Sequence, residues 1–276
     1  MAGLIIKAVS GVYDVLINGQ TIVCKPLGVF RHQEKKPKVG DLVEIENQTI
    51  VEILPRISDL QRPFISNVTK VFIITSLVEP DLNLNLLDRL ISLVEWENLK
   101  IVLVFTKKDK TDVSLYQSVL TYYQNLGYPV YLMPGAEEPL LDEIKDQICV
   151  VAGQSGVGKS HLINSLHPLF TQKTGEISKA LGRGKHTTRH IELLSVAGGW
   201  IADTPGFGIL DLKMDVASLS HTFREFFACK CRFPRCYHLA EPGCAVKEKV
   251  KNKEILKSRY QNYLGFVKEI QYQKKY

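Results

Sequence analysis

Residues 153–160 read Gly153-Gln154-Ser155-Gly156-Val157-Gly158-Lys159-Ser160, which fits G-x-x-x-x-G-K-[ST] at every fixed position. The apolar run Ile148–Ala152 precedes this stretch, and a helical pattern follows it from His161 onward. Strand, glycine loop and helix in that order make a phosphate cradle. The glycines let successive backbone N–H groups turn inward, and the helix N-terminus adds the positive end of its dipole. Lys159 is placed to reach β- and γ-phosphates, and the Ser160 hydroxyl to coordinate Mg²⁺. A chance glycine-rich turn would lack the flanking strand and helix.

Downstream, the short apolar run Trp200–Ala202 leads into Asp203-Thr204-Pro205-Gly206. Alone, those four residues are only a turn signal. After a phosphate loop they read differently: Asp203 can hold Mg²⁺ through water, and the Gly206 N–H can sense a γ-phosphate. Upstream, Ile101–Phe105 ends in Thr106-Lys107-Lys108-Asp109, a form of the guanine-reading [NT]-K-x-D motif. The Asp109 carboxylate can accept from guanine N1–H and from the exocyclic amine, neither of which adenine offers. Lys107 would lay its stem over the ring. Together these residues select GTP over ATP. Their order is base reader, phosphate loop, Asp-x-x-Gly. Ordinary small GTPases place the phosphate loop first, so the pattern is a circularly permuted GTPase domain.

The surroundings agree. Val71–Leu77, Ile101–Phe105, Val130–Met133 and Ile148–Ala152 read as buried parallel strands. Helical patterns over Leu84–Trp96, Val113–Asn125 and Leu140–Gln147 alternate with them, which implies a doubly wound α/β domain. Before it, five short strands are expected at Leu4–Ala8, Val12–Ile17, Thr21–Cys24, Leu42–Ile45 and Ile50–Leu54, with Asn18-Gly19 as a hairpin turn. Five strands in so short a stretch suit an OB-type β-barrel, with an SH3-like barrel as the rival. Beyond Asp211 the pattern is helical, then cysteine-rich, then helical again. The last helix carries one apolar stripe, Leu256, Tyr260, Tyr263, Val267 and Ile270, better suited to packing than to stacking on bases. The expected organisation is an OB-like RNA-binding barrel over 1–60, the GTPase domain over 61–212, and a zinc-binding helical domain over 213–276.

Composition sets the limits. Of 276 residues 45% are hydrophobic, which argues against wholesale disorder. No apolar run approaches the roughly 18 residues that span a bilayer. The start of the chain lacks the layout of a signal peptide, so a cytoplasmic location with no membrane partner is expected. The net charge is +6, and residues 245–276 hold nine Lys or Arg against three Glu, so they carry the whole excess. Polyanion attraction is therefore concentrated at the C-terminal end. Four of the six cysteines, Cys229, Cys231, Cys236 and Cys244, cluster. In a reducing compartment clustering points to metal, not disulfides. Cys231-x₄-Cys236-x-His238-x₅-Cys244 offers three thiolates and an imidazole, a donor set for one closed, structural Zn²⁺ site. Cys229 is a competing fourth thiol.

The permuted order, the N-terminal barrel and the C-terminal cysteine cluster together resemble the ribosome small subunit-dependent GTPase A (RsgA) family over nearly the whole chain. The resemblance rests on Val39-Gly40-Asp41, 106–109, 153–160, Gly182 to Thr188, 203–207 and 231–244. It implies a GTP hydrolase, stimulated by the small ribosomal subunit, that binds that subunit and its rRNA late in maturation. It selects Cys231, Cys236, His238 and Cys244 as zinc ligands. Within Gly182-Arg183-Gly184-Lys185-His186-Thr187-Thr188, a Thr can close on Mg²⁺ and the γ-phosphate. Spacing does not choose between Thr187 and Thr188, and the resemblance favours Thr188. Many GTPases place a water-orienting Gln after Asp-x-x-Gly. Phe207 stands there instead, so intrinsic hydrolysis is expected to be slow, with His186 as the catalytic candidate beside Lys159 and Thr188.

Two departures stand out. Leu132-Met133-Pro134-Gly135-Ala136 replaces the usual Ser-Ala contact to guanine, and Arg235 occupies a place where the family often has Asp. Two rival readings remain: a nucleotide-switched RNA-binding module with negligible hydrolysis, and an ATP-using phosphotransferase, which Asp109 opposes. The expected ligands are GTP or GDP with Mg²⁺, and the expected state is a monomer.

Overall fold

A computed structural model describes residues 1–31, 36–166, 191–203 and 211–273. The N-terminal strands are β1 (Ala2–Val9), β2 (Val12–Ile17), β3 (Gln20–Pro26), β4 (Leu42–Glu46) and β5 (Thr49–Ile53). They close into a barrel in the order β1-β2-β3-β5-β4. β3 runs parallel to β5 and the other pairs are antiparallel, the Greek-key arrangement of an OB barrel. Asn18 (φ 48°) and Gly19 (φ 81°) both adopt the left-handed backbone that a two-residue hairpin needs. Ile5, Val15, Ile17, Val43, Ile45, Ile50 and Ile53 fill the interior, so these apolar positions are spent on packing.

A buried polar knot ties the barrel to the short hairpin β6 (Asp59–Leu60) and β7 (Ile65–Ser66). The fully buried Asp41 carboxylate accepts from the Lys38 N–H at 2.8 Å, Arg56 Nε at 2.7 Å and Ser66 Oγ at 2.6 Å. Gly40 (φ 88°) sits against the Ser66 carbonyl, where a Cβ would collide. Val39-Gly40-Asp41 is thus a structural joint.

Strands and helices then alternate: β8 (Lys70–Ser76), α1 (Leu84–Trp96), β9 (Lys100–Thr106), α2 (Gln117–Asn125), β10 (Val130–Leu132), α3 (Glu137–Ile144), β11 (Ile148–Ala152), α4 (Lys159–Leu166), β12 (Leu193–Val196) and β13 (Gly199–Asp203). The helices α5 (Val216–Ser220), α6 (Arg224–Phe227), α7 (Ala245–Lys251) and α8 (Lys257–Gln273) follow. The expected helix over 113–125 begins as a 3₁₀ turn, Val113–Tyr116, with Asp112 capping the Ser114 N–H. β12 has too short a pattern to stand out in sequence, and it pairs antiparallel to β13.

Compactness divides the chain into two units, Met1–Phe72 with Gly135–Phe207, and Ile73–Pro134 with Gly208–Tyr276. In the first, β11 and β13 are parallel, and Lys7 of the barrel meets Glu192 at 3.0 Å. In the second, β9 and β10 are parallel, and a helical core gathers Leu212, Leu219, Phe223, Phe226, Tyr263 and Phe266. The stripe on α8 packs into this core as its spacing predicts: Tyr263, Val267 and Ile270 are buried.

Sequence patterning missed a charged centre in the second unit. Arg259 of α8 is fully buried. Its Nη1 donates to Asp88 of α1 at 2.7 Å and its Nε to Glu225 at 2.8 Å. Asp88 also accepts from Tyr123 and from Asn262 Nδ2. Burial works against the guanidinium charge, but the Asp88 and Glu225 carboxylates outweigh it and hold Arg259 firmly protonated. Arg259 is therefore spent internally and does not join the basic surface counted in the sequence. Arg259→Met would leave two buried carboxylates without their cation. The expected loss is about 3–5 kcal/mol of stability, read as a lowered midpoint in denaturant unfolding. An unchanged midpoint would show that the network carries no net stability.

Candidate nucleotide site and metal centre

The phosphate loop leaves β11 at Ala152 and enters α4 at Lys159. Gly153 (φ 149°), Gly156 (φ 83°) and Gly158 (φ 98°) all take backbone conformations that side chains resist, which is why the loop is glycine-rich. Val157 is buried and anchors the loop, whereas Gln154, Ser155, Ser160 and His161 are exposed. The Lys159 ammonium donates to the carbonyls of Gly153 at 2.9 Å and Gln154 at 2.8 Å, so it stands across the loop. The Leu162 N–H bonds the Gly158 carbonyl at 2.9 Å and starts the helix directly behind the glycines.

Asp203 ends β13, and the parallel register sets it level with Val151 of β11, two residues before the loop begins. The sheet thus sets the Asp203 backbone beside the strand that feeds the loop, whereas residues 204–206 lie outside the described residues. Asp203 and the loop both lie in the first unit. His186, Thr187, Thr188, Gly206 and Phe207 lie outside the described residues.

The base-reading segment belongs to the second unit. Thr106 closes β9, with its hydroxyl 3.4 Å from the Thr75 carbonyl. Lys107 takes the left-handed conformation (φ 61°), and Lys108–Lys110 form a 3₁₀ turn that leaves Asp109 exposed. The Lys108 N–H is held by the Met133 carbonyl at 3.1 Å, which ties the turn to the altered 132–136 segment. Sequence reading missed Glu79. Its carbonyl accepts from Lys107 Nζ, and its carboxylate meets Lys110 Nζ at 2.7 Å. Lys110 holds the Glu79 carboxyl below its ordinary value.

In the C-terminal region the ligand atoms of Cys231, Cys236, His238 and Cys244 all lie within 4.8 Å of one another. His238 Nδ1 is 3.6 Å from Cys231 Sγ and 3.5 Å from Cys244 Sγ. Tetrahedral zinc with bonds of about 2.0–2.3 Å separates sulfur and nitrogen ligands by roughly 3.5 Å, so this donor set fits the ion. Burial lowers the His238 imidazole, favouring the neutral form that ligates. Cys229 stands apart from the four and instead lies 3.3 Å from the Glu225 carbonyl. The surrounding protein fixes the ligand loop. Tyr260 and Tyr263 hydroxyls donate to the carbonyls of His238 and Tyr237 at 2.7 and 2.6 Å. Glu241 accepts from the Tyr237 and Leu239 N–H groups, both at 2.7 Å.

Fold and site together define a phosphate-loop GTPase in which the base reader precedes the loop. The family model of the RsgA GTPase matches residues 52–213, and that of the RsgA N-terminal domain matches residues 2–52. The small ribosomal subunit biogenesis GTPase RsgA of Lactobacillus gasseri is 44% identical over 97% of this chain and 95% of its own. RsgA 2 of Oceanobacillus iheyensis is 43% identical over 99% and 98%. Among solved structures, YloQ, described as a circularly permuted GTPase, superposes with a TM-score of 0.83 at 35% identity, covering 99% of this chain and 95% of its own. YjeQ from Thermotoga maritima also gives 0.83, at 32% identity, covering 98% of each. The chain belongs to the RsgA GTPase family. No helix among the described residues is long and apolar enough to cross a membrane.

Proposed function

We propose that this chain is a cytoplasmic, monomeric GTP hydrolase that binds the small ribosomal subunit and its rRNA late in maturation, with subunit-stimulated hydrolysis driving release. The observation that carries the reading is a formed phosphate loop with Asp203 in register beside the strand that feeds it. Three segments divide the work: the barrel 1–60 on rRNA, the GTPase segment 61–212, and the zinc-binding segment 213–276. Thr106, Lys107, Lys108 and Asp109 take the guanine base. Gly153 through His161 take the phosphates. Ser160, Asp203 and Thr188 hold Mg²⁺, with Thr187 as the alternative to Thr188. The Gly206 N–H takes the γ-phosphate. Mg²⁺, when bound, spreads the charge of the γ-phosphoryl group in transfer, and the Lys159 ammonium adds to that stabilisation. Cys231, Cys236, His238 and Cys244 hold one zinc ion, which stabilises the domain and takes no part in the reaction.

An aromatic ring cannot polarise water, so Phe207 leaves the attacking water without an orienting group, and His186 supplies it. His186→Ala is expected to bind GTP normally and to lose about 10²–10⁴-fold of its subunit-stimulated turnover. A normal stimulated rate in that variant would remove His186 from the mechanism. Phe207 also favours the second reading, a nucleotide-switched RNA-binding module. That protein would hold GTP and bind RNA without stimulated turnover. Single-turnover hydrolysis with added small subunits separates the two.

A further inference from the structure

The zinc ligands hold out a short tip, Arg232-Phe233-Pro234-Arg235, in which all four residues are exposed. Phe233 is 43% exposed and Tyr237, just beyond the tip, 37%. Tyr260 and Tyr263 of α8, by contrast, are turned to the ligand loop, where their hydroxyls bond backbone carbonyls. The Arg232 guanidinium lies 5.8 Å from the Phe233 ring centroid, and Lys230 adds a third exposed cation at the base of the tip. Phe233, Pro234, Arg235, Glu241 and Pro242 line a shallow, largely apolar hollow of about 570 Å³. Its single acid, Glu241, is engaged by the backbone N–H groups of Tyr237 and Leu239, and Lys230, Arg232 and Arg235 form no ion pair with a carboxylate among the described residues.

We infer that this tip is a single-stranded RNA contact, in which Phe233 stacks on one unpaired base and Arg232 and Arg235 hold the flanking phosphates. An exposed ring with the Arg232 guanidinium beside it, and exposed cations at Lys230 and Arg235 nearby in the chain, matches an unpaired base flanked by phosphates in charge and in shape. A duplex buries its base faces and offers only phosphates, and an acidic peptide offers charge without a flat face. Backbone bonds set the tip rigidly: the Arg232 N–H donates to the Gly243 carbonyl at 3.3 Å, and Glu241 fixes the far side. A preformed contact loses less entropy on binding. The inference deepens the proposed rRNA contact and rests on it for its biological setting. Its test stands without ribosomes or nucleotide turnover.

The test uses the full-length zinc-loaded protein and a labelled twelve-nucleotide oligoadenylate, with affinity followed by anisotropy across salt concentrations. Phe233→Ala is expected to weaken binding about tenfold at every salt concentration and to leave the salt slope unchanged. Arg235→Gln should lower that slope by about 0.7. Phe233→Trp should bind like the parent, with its indole emission quenched by the oligonucleotide. One zinc per chain and an unchanged basal GTPase rate in each variant establish that the fold is intact. Parental affinity in Phe233→Ala, or an unquenched Trp, would overturn the inference. So would equal competition by an RNA duplex or by polyglutamate, which would reduce the tip to a general cationic patch. Loss of GTP hydrolysis in the parent protein would refute the proposed function and leave this result standing.

Discussion

Asp109→Asn is expected to weaken GTP binding by about 10²–10⁴-fold and to improve binding of xanthosine triphosphate. The carboxylate accepts two guanine donors, and a hydrogen bond to a charged group contributes about 1.5–3 kcal/mol. Each 1.4 kcal/mol is roughly tenfold in affinity. The Asn amide turns one acceptor into a donor, which faces a guanine N–H unfavourably and the xanthine 2-carbonyl favourably. The substitution is isosteric and the residue is exposed. The turn beneath it is held by backbone bonds, the Lys108 N–H to Met133 and the Lys110 N–H to Lys107, so the fold is preserved. Displacement of a fluorescent guanine nucleotide by GTP, ATP and xanthosine triphosphate reads the effect. Undiminished GTP affinity in the variant would remove Asp109 from base reading. It would also reopen the ATP reading, since no other residue in the segment distinguishes the two bases.

Removal of zinc should have the second large effect. Structural zinc contributes on the order of 10 kcal/mol to small zinc-held folds. Here the ion would be held by four side chains from one short loop, backed by the rings of Phe226 and Tyr263 against His238. Chelated protein, or Cys236→Ser, is expected to lose amide protection over 229–244. It should also show a new unfolding transition at low temperature. The hydrogen bonds from Tyr260 and Tyr263 to the ligand loop carry the loss into α8. Native protein should hold one zinc per chain. A substoichiometric content, with protection undisturbed by chelation, would contradict the assignment.

The sequence made the nucleotide motifs legible because their chemistry is local. Gly153, Gly156 and Gly158 are glycine for backbone reasons that any single chain displays. The barrel was legible from alternation and from the Asn18-Gly19 turn, although only the parallel pairing of β3 with β5 separates an OB barrel from its rival. What stayed hidden is non-local. Asp88 and Arg259 lie far apart in the chain and look like ordinary polar positions on helices, until folding buries both against each other. Glu79 reaches the base-reading turn only because the chain doubles back after β8. Tyr260 was legible as part of an apolar stripe, but its hydroxyl bond to the His238 carbonyl was not. The zinc set fell between these cases. Spacing left Cys229 open, and geometry separates it from the other four.

GTP and ATP hydrolysis by the purified protein, with and without small ribosomal subunits and at two salt concentrations, decides between a subunit-stimulated hydrolase and a binding module. A ribosome-dependent GTPase should turn GTP over slowly alone, respond strongly to subunits even at the higher salt, and make no comparable use of ATP. Tight GTP binding with no stimulation at either salt would contradict that reading and leave a switchable RNA-binding module in its place.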